Sequence, residues 1–405
     1  MKNLIQILCM ASIMSFPRSF VELKLFLIFL FSLSYIITIY KRETSSVGVK
    51  IIIFYLLVMA LGLIWSVIGL NNGSPLQAIS DSLRLYVAWS IAFIIMFTAI
   101  EGEQGRLNVH NSLIVSAVVI FISNLIGVID SLSSATILSE ATRLELEMNI
   151  GYHDGYMQIM SNNIGSLFFI VPYFYVYLAQ KGKPVNKYHL EKISLILLLI
   201  VAVASGRRAL WLCLLAVPII DYVMSNLWGR VNSTVSKKIV FGYILILPFF
   251  ILYFIAADGI DQMGAVSHVM DAFSKYDERS IQLSYLMMGF YENFLLGSGF
   301  GGYAGYTRNI VAPWMYELTY FQILYNFGVI GTLVISIIFV SYFHMAFKQI
   351  GNISRFYSND KGLFIGVLTL MIGAYSNPYL GSFDFLFIFG FLPYLTQTIR
   401  PNSKG

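Results

Sequence analysis

Two adjacent arginines, Arg207 and Arg208, stand between two uncharged apolar runs, residues 193–204 and 209–220. Charged side chains are rare between membrane segments because they lose their hydration in hydrocarbon, and those that remain there usually serve a function. Guanidinium groups bind phosphates and carboxylates, often through two parallel hydrogen bonds. The pair therefore indicates either a binding site for an anion or the anchoring of a helix end at lipid headgroups by the long side chains.

A third arginine, Arg279, follows Asp277 and Glu278 at the start of a predicted amphipathic helix over residues 277–296. Acidic residues at a helix N-terminus complement the helix dipole, so Asp277 and Glu278 suit a capping role. The same dipole disfavours a cation at this position. Arg279 therefore indicates an external anion as its partner, and it is a candidate for both binding and catalysis.

Glu317 follows an aromatic segment, Trp314-Met315-Tyr316, two residues before the next apolar run. A carboxylate at such a boundary is either simply solvated or placed to accept a proton from an attacking hydroxyl group. Tyr303, Tyr306 and Tyr316 belong to the same stretch of chain, and their rings are candidates for stacking on sugar rings. We interpret this stretch as a candidate site for a sugar hydroxyl.

Two further motifs carry weaker signals. His153 and Asp154, near the end of the first long loop, are a secondary candidate for a base and for contacts to a sugar. The glycine-rich run 297–302 is able to cradle a phosphate with its backbone N–H groups, although a sharp turn explains it more simply. No pair of His, Asp or Glu residues has the spacing of metal ligands, so neither a metal ion nor another cofactor is expected.

The composition places these residues in a membrane protein. Hydrophobic residues make up 58% of the 405 residues and charged residues only 12%, whereas soluble domains carry roughly 25% charged residues. The basic residues lie in short loops rather than in one patch, which excludes a nucleic-acid surface. Cys9 and Cys213 both lie in apolar runs, so no disulfide framework is expected. We predict an all-α, polytopic membrane protein.

Apolar stretches that could cross roughly 30 Å of hydrocarbon predict about twelve transmembrane helices in a single domain over residues 1–405. They are 3–17, 25–40, 51–70, 85–100, 113–129, 164–180, 193–205, 209–224, 239–257, 319–343, 362–378 and 384–399. Most of the 26 lysines and arginines fall in loops on one side, and the positive-inside rule assigns that side, with both termini, to the cytoplasm. Two long loops then face outward: residues 130–163, with a predicted helix over 136–149, and residues 258–318, with the amphipathic helix.

Three motifs follow one another in an order typical of one family. They are Ser205-Gly206-Arg207-Arg208 at the start of a span, Arg279 followed by residues 293–301, and Glu317 followed by residues 326–331. With these motifs and this topology, the chain resembles the O-antigen and polysaccharide polymerases of the Wzy type, which are relatives of the O-antigen ligases. The resemblance covers most of the chain and implies the C-type glycosyltransferase superfold.

The resemblance implies an enzyme at the outer face of the bacterial inner membrane that acts in the biosynthesis of lipopolysaccharide O-antigen or another surface polysaccharide. It would join oligosaccharide repeat units carried on undecaprenyl diphosphate, without a cofactor. Arg207, Arg208 and Arg279 match the family's outer-face arginines and would hold the diphosphate, while Glu317 would take the proton of the acceptor hydroxyl. The donor and acceptor lipids, the bilayer and a chain-length regulator are the implied partners.

Three other functions remain open. A ligase would pass finished polymer to a lipid A core, but that branch often has a histidine where the large loop re-enters the membrane, and this chain has Glu317 there. A flippase for lipid-linked oligosaccharide also uses many spans, but transporters place charges or broken helices near the bilayer midplane. The predicted spans are nearly free of charge, which favours the polymerase. A non-catalytic assembly partner is the third possibility.

Overall fold

The computed structural model describes residues 2–39, 46–100, 102–133, 137–153, 156–180, 188–228, 235–244, 278–308, 310, 312–352, 358–375 and 383–396. In this part of the chain α-helices dominate, because a helix satisfies all of its interior backbone groups without water. The described sheet is one antiparallel hairpin, in which Asn149–His153 pairs with Tyr156–Met160.

The α-helices are Lys2–Ser15, Val21–Ile39, Ser46–Asn71, Leu76–Leu83, Trp89–Thr98, Gly102–Leu132, Glu140–Glu145, Leu167–Ala179, His189–Ala204, Arg208–Leu227, Glu278–Glu292, Thr319–Asn352, Ser358–Gly373, Phe383–Phe389 and Phe391–Leu395, with a further helical stretch at 235–244. A π-helical turn at Arg84–Ala88 and a 3₁₀ turn at Asn162–Ser166 complete the helical structure of the described residues. Four helices recur below: the arginine helix (Arg208–Leu227), the loop helix (Glu278–Glu292), the broken helix (Thr319–Asn352) and the glycine helix (Ser358–Gly373).

Five helices among the described residues are long and apolar enough to cross a membrane: Gly48–Asn71, Leu76–Thr98, Gly102–Leu132, Arg208–Leu227 and Thr319–Gly351. They coincide with five of the predicted spans and confirm a helical membrane protein. The other predicted spans coincide wholly or partly with further helices and stay predictions. Large apolar side chains such as Phe29, Ile196 and Leu212 are exposed on the outside of the bundle, as contact with lipid requires.

The first long loop departs from its prediction. Its helix is confined to Glu140–Glu145, and the two-stranded hairpin follows. Glu147 has a φ of 46°, a left-handed conformation that ends the helix. Before the helix, the backbone N–H groups of Ile137 and Leu138 donate to the carboxylate of Asp130 at 2.6 and 3.0 Å. The all-α assignment therefore describes the bundle correctly and is wrong for this hairpin.

The centre of the bundle is the helix Leu167–Ala179, which is almost entirely buried and packs against the glycine helix. Three glycines of the glycine helix face it. A Cβ at Gly362, Gly366 or Gly373 would lie 2.3–2.9 Å from atoms of aromatic residues in that helix. Small residues allow helices to approach closely where lipid removes the hydrophobic drive for association. This contact fixes the position of the glycine helix.

The glycine helix and the arginine helix run antiparallel. Lys361, near the start of the glycine helix, forms an ion pair of 2.5 Å with Asp221, in the later part of the arginine helix. The start of the arginine helix therefore lies toward Gly373. The hydroxyl of Tyr320 donates to the carbonyl of Met371 at 2.5 Å, which brings the start of the broken helix to the same place. We call this side of the bundle the arginine end.

Contacts at the two ends of the bundle agree with the two sets of loops, outer and inner, that the sequence predicts. The side chain of Asn72 donates to the carbonyl of Ser298 at 3.0 Å at the arginine end, and both residues belong to predicted outer loops. Lys50 donates to the carbonyl of Thr396 at 3.5 Å at the opposite end; Lys50 belongs to a predicted inner loop, and Thr396 lies near the inner end of the predicted span 384–399. The assignment of one end to the cytoplasm rests on the positive-inside rule alone and stays a prediction.

Buried ion pairs at the opposite end correct one expectation from the sequence. Arg106 pairs with Asp360 at 2.9 Å, and Glu191 lies 3.1 Å from His110, all four side chains being almost fully buried. Lys361 and Asp221 form a second buried ion pair, in addition to the hydrogen-bonded contact of Glu191 with His110. Five of these six residues lie in helices but outside the predicted spans, and Asp221 lies within one. Hydropathy assigned Arg106 and His110 to a loop, whereas their helix already begins at Gly102.

Candidate functional site

The described part of the large loop, from Glu278 to Leu318, packs against the bundle. The loop helix lies against the broken helix, and a small apolar cluster joins them: Leu286, Ala304, Tyr316, Leu318 and Tyr325. Gly289 allows this approach, because a Cβ there would lie 2.6 Å from the ring of Tyr325. The side chains at the start of both helices are therefore held by a folded support.

The glycine-rich run is a turn locked into this support. The backbone N–H groups of Gly297 and Ser298 donate to the carbonyls of Asn293 and Tyr325 at 2.8 and 2.9 Å. Those of Gly299 and Phe300 donate in the same way to backbone carbonyls of the neighbouring helices. Because these amides are engaged by protein carbonyls, the turn interpretation is supported, and these amides do not cradle a phosphate.

The broken helix is interrupted where the run meets it. Gly328 has φ 60° and ψ −168°, outside the helical region. The N–H groups of Val329 and Ile330, which lose helical partners at the break, donate to the carbonyls of Phe294 and Leu295 at 2.9 and 3.0 Å. Broken helices in membranes persist where protein groups satisfy the freed backbone. The break therefore docks the loop onto the span.

At the start of both helices, three charged side chains meet. The Nε of Arg279 lies 3.0 Å from Oε2 of Glu317, and Nη2 of Arg308 lies 2.5 Å from Oε1 of the same carboxylate. Two candidates from the sequence, Arg279 and Glu317, are thus direct partners across 38 residues of chain. Arg308 joins them without having been predicted. We call these three residues the arginine–glutamate cluster.

Gln282 fixes the geometry of the cluster. This buried side chain accepts hydrogen bonds from the backbone N–H groups of Glu317 and Leu318, both at 3.0 Å. It lies three residues after Arg279, on the same face of the loop helix. The loop helix therefore holds the backbone of Glu317 with one residue and its carboxylate with another. Helical spacing alone could have pointed to Gln282, whereas Arg308 has no neighbouring motif that distinguishes it.

The three tyrosines proposed to stack on sugars have different environments. Tyr303 is exposed, and its hydroxyl lies 2.9 Å from that of Thr307. Tyr306 is half-buried, with its ring 6.2 Å from that of Tyr285. Tyr316 is only 1% exposed, its hydroxyl accepts from the N–H of Ala304 at 2.7 Å, and burial raises its pKa above the ordinary value. The prediction is therefore wrong for Tyr316, which supports the loop, while Tyr303 and Tyr306 stay candidates.

Arg207 and Arg208 lie at the arginine end, at the top of a hairpin of two helices. Gly206, with φ 62°, turns the chain after the first helix, and Arg208 is the first residue of the arginine helix. Trp211 donates to the carbonyl of Ala202 at 2.8 Å across the hairpin. Arg207 is half-buried and Arg208 is exposed. Both cations stand at the N-terminus of the arginine helix, which is the positive end of its dipole. The first turn of this helix contains no acidic residue.

Both arginine sites therefore begin helices at the same end of the bundle. Arg279 is the second residue of the loop helix, and Arg208 is the first of the arginine helix. The glycine helix contacts both the arginine helix and the broken helix, on which the loop helix packs. Guanidinium groups from two separate elements thus share one face of the protein, as expected from the sequence.

The remaining candidates lie in the first long loop. The strand Tyr156–Met160 contacts the helix His189–Ala204, which ends next to Arg207, so the hairpin also belongs to the arginine end. His153 ends the preceding strand, but its side chain and all of Asp154 lie outside the described residues. Within the described ranges, no group of three or more His, Cys, Asp or Glu side chains is placed to hold a metal ion.

No family model matches the chain, and no curated protein matches it either.

Proposed function

We propose that this protein is a polymerase of lipid-linked oligosaccharides in the bacterial inner membrane. It joins repeat units carried on undecaprenyl diphosphate into O-antigen or another surface polysaccharide, with the site facing the periplasm and both termini in the cytoplasm. One observation carries the proposal: guanidinium groups from two elements share one end of a membrane bundle, and one of them, Arg279, pairs with a carboxylate two residues before a candidate span. The resemblance of the motifs to Wzy-type polymerases supports the same conclusion.

The proposed reaction is a glycosyl transfer between two lipid carriers. A hydroxyl oxygen of the acceptor sugar forms a bond to the anomeric carbon of the donor, and the bond from that carbon to the diphosphate oxygen breaks. The diphosphate leaves with the electron pair, and the hydroxyl proton passes to Glu317. Arg207, Arg208 and Arg279 stabilise the charge that grows on the leaving group, and such electrostatic stabilisation often contributes more to catalysis than any other effect.

The ligase and the flippase are the rival functions. Glu317 stands where ligases often carry a histidine, which favours the polymerase. The buried ion pairs weaken the case against a transporter, because the helices do contain charges. Their positions still favour an enzyme: Asp360 and Glu191 are each the third residue of a helix, so they lie near one end of the bundle rather than at its middle.

A deletion strain analysed on a polysaccharide gel separates these functions. Loss of a polymerase leaves a single repeat unit on the lipid A core. Loss of a ligase leaves the core bare while polymer accumulates on the carrier lipid. Loss of a flippase leaves repeat units on the cytoplasmic side. Only the first pattern agrees with the proposal.

Point variants then test the site. Arg279→Ala and Arg207→Ala should each lower polymerisation by roughly 100- to 1,000-fold, as expected when one electrostatic contact to a leaving group is lost. The readout is the chain-length ladder, with protein abundance measured by immunoblotting. Arg84→Ala is the matched control, because Arg84 forms an exposed ion pair with Asp81 outside the site. Normal ladders in both site variants would exclude these arginines from the reaction.

A further inference from the structure

We propose that Arg279 and Arg308 form an anion-exchange site whose resident anion is Glu317, and that the diphosphate of a lipid-linked substrate displaces this carboxylate. The naming of the ligand rests on the proposed function. The assignment of Arg308 as a binding residue and of Glu317 as the displaced group rests on the geometry of the arginine–glutamate cluster.

The cluster has the arrangement of a filled anion site. The two arginines come from different elements, the loop helix and the segment before the broken helix, and they approach different oxygens of one carboxylate. Each guanidinium uses one nitrogen in this contact, although a guanidinium carries five N–H donors in a planar fork. A phosphate group presents more acceptor oxygens to such a pair than a carboxylate does. The residues that hold Glu317 therefore suit a larger anion.

The carboxylate is placed so that it can leave. The side chains of Arg279, Arg308 and Glu317 are 47%, 41% and 23% exposed, so a ligand reaches them from outside. Exposed ion pairs contribute little to stability because water competes for both charges. Gln282 holds the backbone of Glu317, so displacement needs only rotation of the glutamate side chain.

The exchange links binding to proton transfer. While the site is empty of substrate, both guanidinium groups hold the carboxylate of Glu317. When a diphosphate takes the arginines, the released carboxylate remains beside the ligand without its cationic partners. The carboxylate is therefore free to receive the hydroxyl proton only when the leaving group is in place.

Binding of inorganic pyrophosphate to the purified full-length protein in phosphatidylcholine nanodiscs tests the exchange. Glu317→Gln removes the competing charge and should tighten pyrophosphate binding about tenfold. Arg308→Ala and Arg279→Ala should each weaken it about tenfold or more, because each removes a charged hydrogen-bond partner. Glu278→Gln is the matched control, because it removes a negative charge that neighbours Arg279 in the sequence but lies outside the cluster. This variant should change pyrophosphate binding much less than Glu317→Gln does.

The outcomes separate this inference from the proposed function. Binding by Glu317→Gln that equals or falls below that of the wild type overturns the exchange, provided that the variant melts at the wild-type temperature. Arg308→Lys, which keeps the charge, should recover part of the binding that Arg308→Ala loses. The affinities of the variants for geranyl diphosphate should follow the same order as their affinities for pyrophosphate.

An effect seen only with phosphatidylglycerol vesicles would reassign the site to membrane headgroups. Tighter binding by Glu317→Gln together with normal ladders in the deletion strain would retain the site and reject the polymerase.

Discussion

Lys361 is a buried cation that the structure surrounds with partners. Its ammonium group lies 2.5 Å from Oδ1 of Asp221, donates to the hydroxyl of Ser225 at 2.7 Å and lies 5.8 Å from the centre of the Trp228 ring. The pair joins the glycine helix to the arginine helix, so its contribution can be measured as a change in the free energy of unfolding.

Lys361→Met should therefore destabilise the protein by roughly 3–5 kcal/mol, because it leaves Asp221 buried without its cation. The double variant Asp221→Leu with Lys361→Met should be more stable than the single variant, since no unpaired charge remains. Thermal unfolding in detergent measures both. Arg84→Ala, which breaks an exposed pair, is the control and should cost about 0–1 kcal/mol. A single variant as stable as the double would contradict the account.

At the scale of residues, the sequence shows which charged residues are candidates for function more readily than it shows which residues they contact. Arg279 and Glu317 were each recognisable from local context, a helix start and a membrane boundary. Their contact was not, because 38 residues separate them and the approach depends on how the loop folds. Arg308 shows the limit more clearly. An isolated arginine in a long loop has no spacing that marks it, and only the folded loop brings it to Glu317.

Among the elements, the junction of the glycine-rich run with the broken helix is the most constrained. Gly297 has φ 73°, and a Cβ there would lie 2.4 Å from the carbonyl oxygen of Asn326 and from the nitrogen of Gly328. Gly73 has a similar φ of 78°, but a Cβ there would meet nothing within 4 Å. Substitutions at these two glycines therefore separate the free-energy cost of a left-handed backbone conformation from the cost of a steric clash.

Gly73→Ala should lower stability by roughly 1–2 kcal/mol, the cost of a left-handed conformation for a residue with a side chain. Gly297→Ala should lower it by about 1–3 kcal/mol more, because the added methyl group also forces the two segments apart. Thermal unfolding gives the stabilities, and limited proteolysis of the loop locates the damage. Equal losses in the two variants would show that the close packing at Gly297 contributes nothing.

The elements were predictable where periodicity and length dominate. The loop helix was expected over 277–296 and is observed over Glu278–Glu292, because a polar face and an apolar face repeat at helical spacing. The first long loop was predictable only in part, because the amphipathic pattern over 136–149 extends beyond the helix that forms, Glu140–Glu145. The carboxylate of Asp130 holds the backbone before that helix, and the left-handed conformation of Glu147 ends it. A hydropathy scan also ends a predicted span at charged residues that the folded helix buries as ion pairs, as it does near Arg106.

For the molecule as a whole, the helix Gly102–Leu132 offers a test of orientation. Its 31 residues are about 46 Å long, more than the roughly 30 Å of hydrocarbon, so residues near its two ends are suitable positions for labelling from the two sides. Ser131 lies at the arginine end and Gln104 at the opposite end, and both are exposed. Cys9 and Cys213 are buried and give little background.

Cysteines placed at these two positions should react from opposite sides of the membrane. A membrane-impermeant maleimide added to intact spheroplasts should label Ser131→Cys, while Gln104→Cys should react only after permeabilisation. The unsubstituted protein serves as the control for the native cysteines. Labelling of Gln104→Cys from outside would reverse the proposed topology and would move the arginines to the cytoplasmic side.

The anchor between Trp65 and the large loop also has a consequence for biosynthesis. The indole N–H of Trp65 donates to the carbonyl of Leu296 at 2.8 Å, and 231 residues separate the two. At about 5–20 residues per second, the ribosome makes Leu296 roughly 10–50 s after Trp65. During that interval the helix Ser46–Asn71 keeps its own backbone hydrogen bonds. The indole N–H of Trp65, however, must use a temporary partner such as water. The site at the arginine end is therefore completed late in synthesis, when the broken helix and the glycine helix follow the loop, whereas the helix Ser46–Asn71 is made long before.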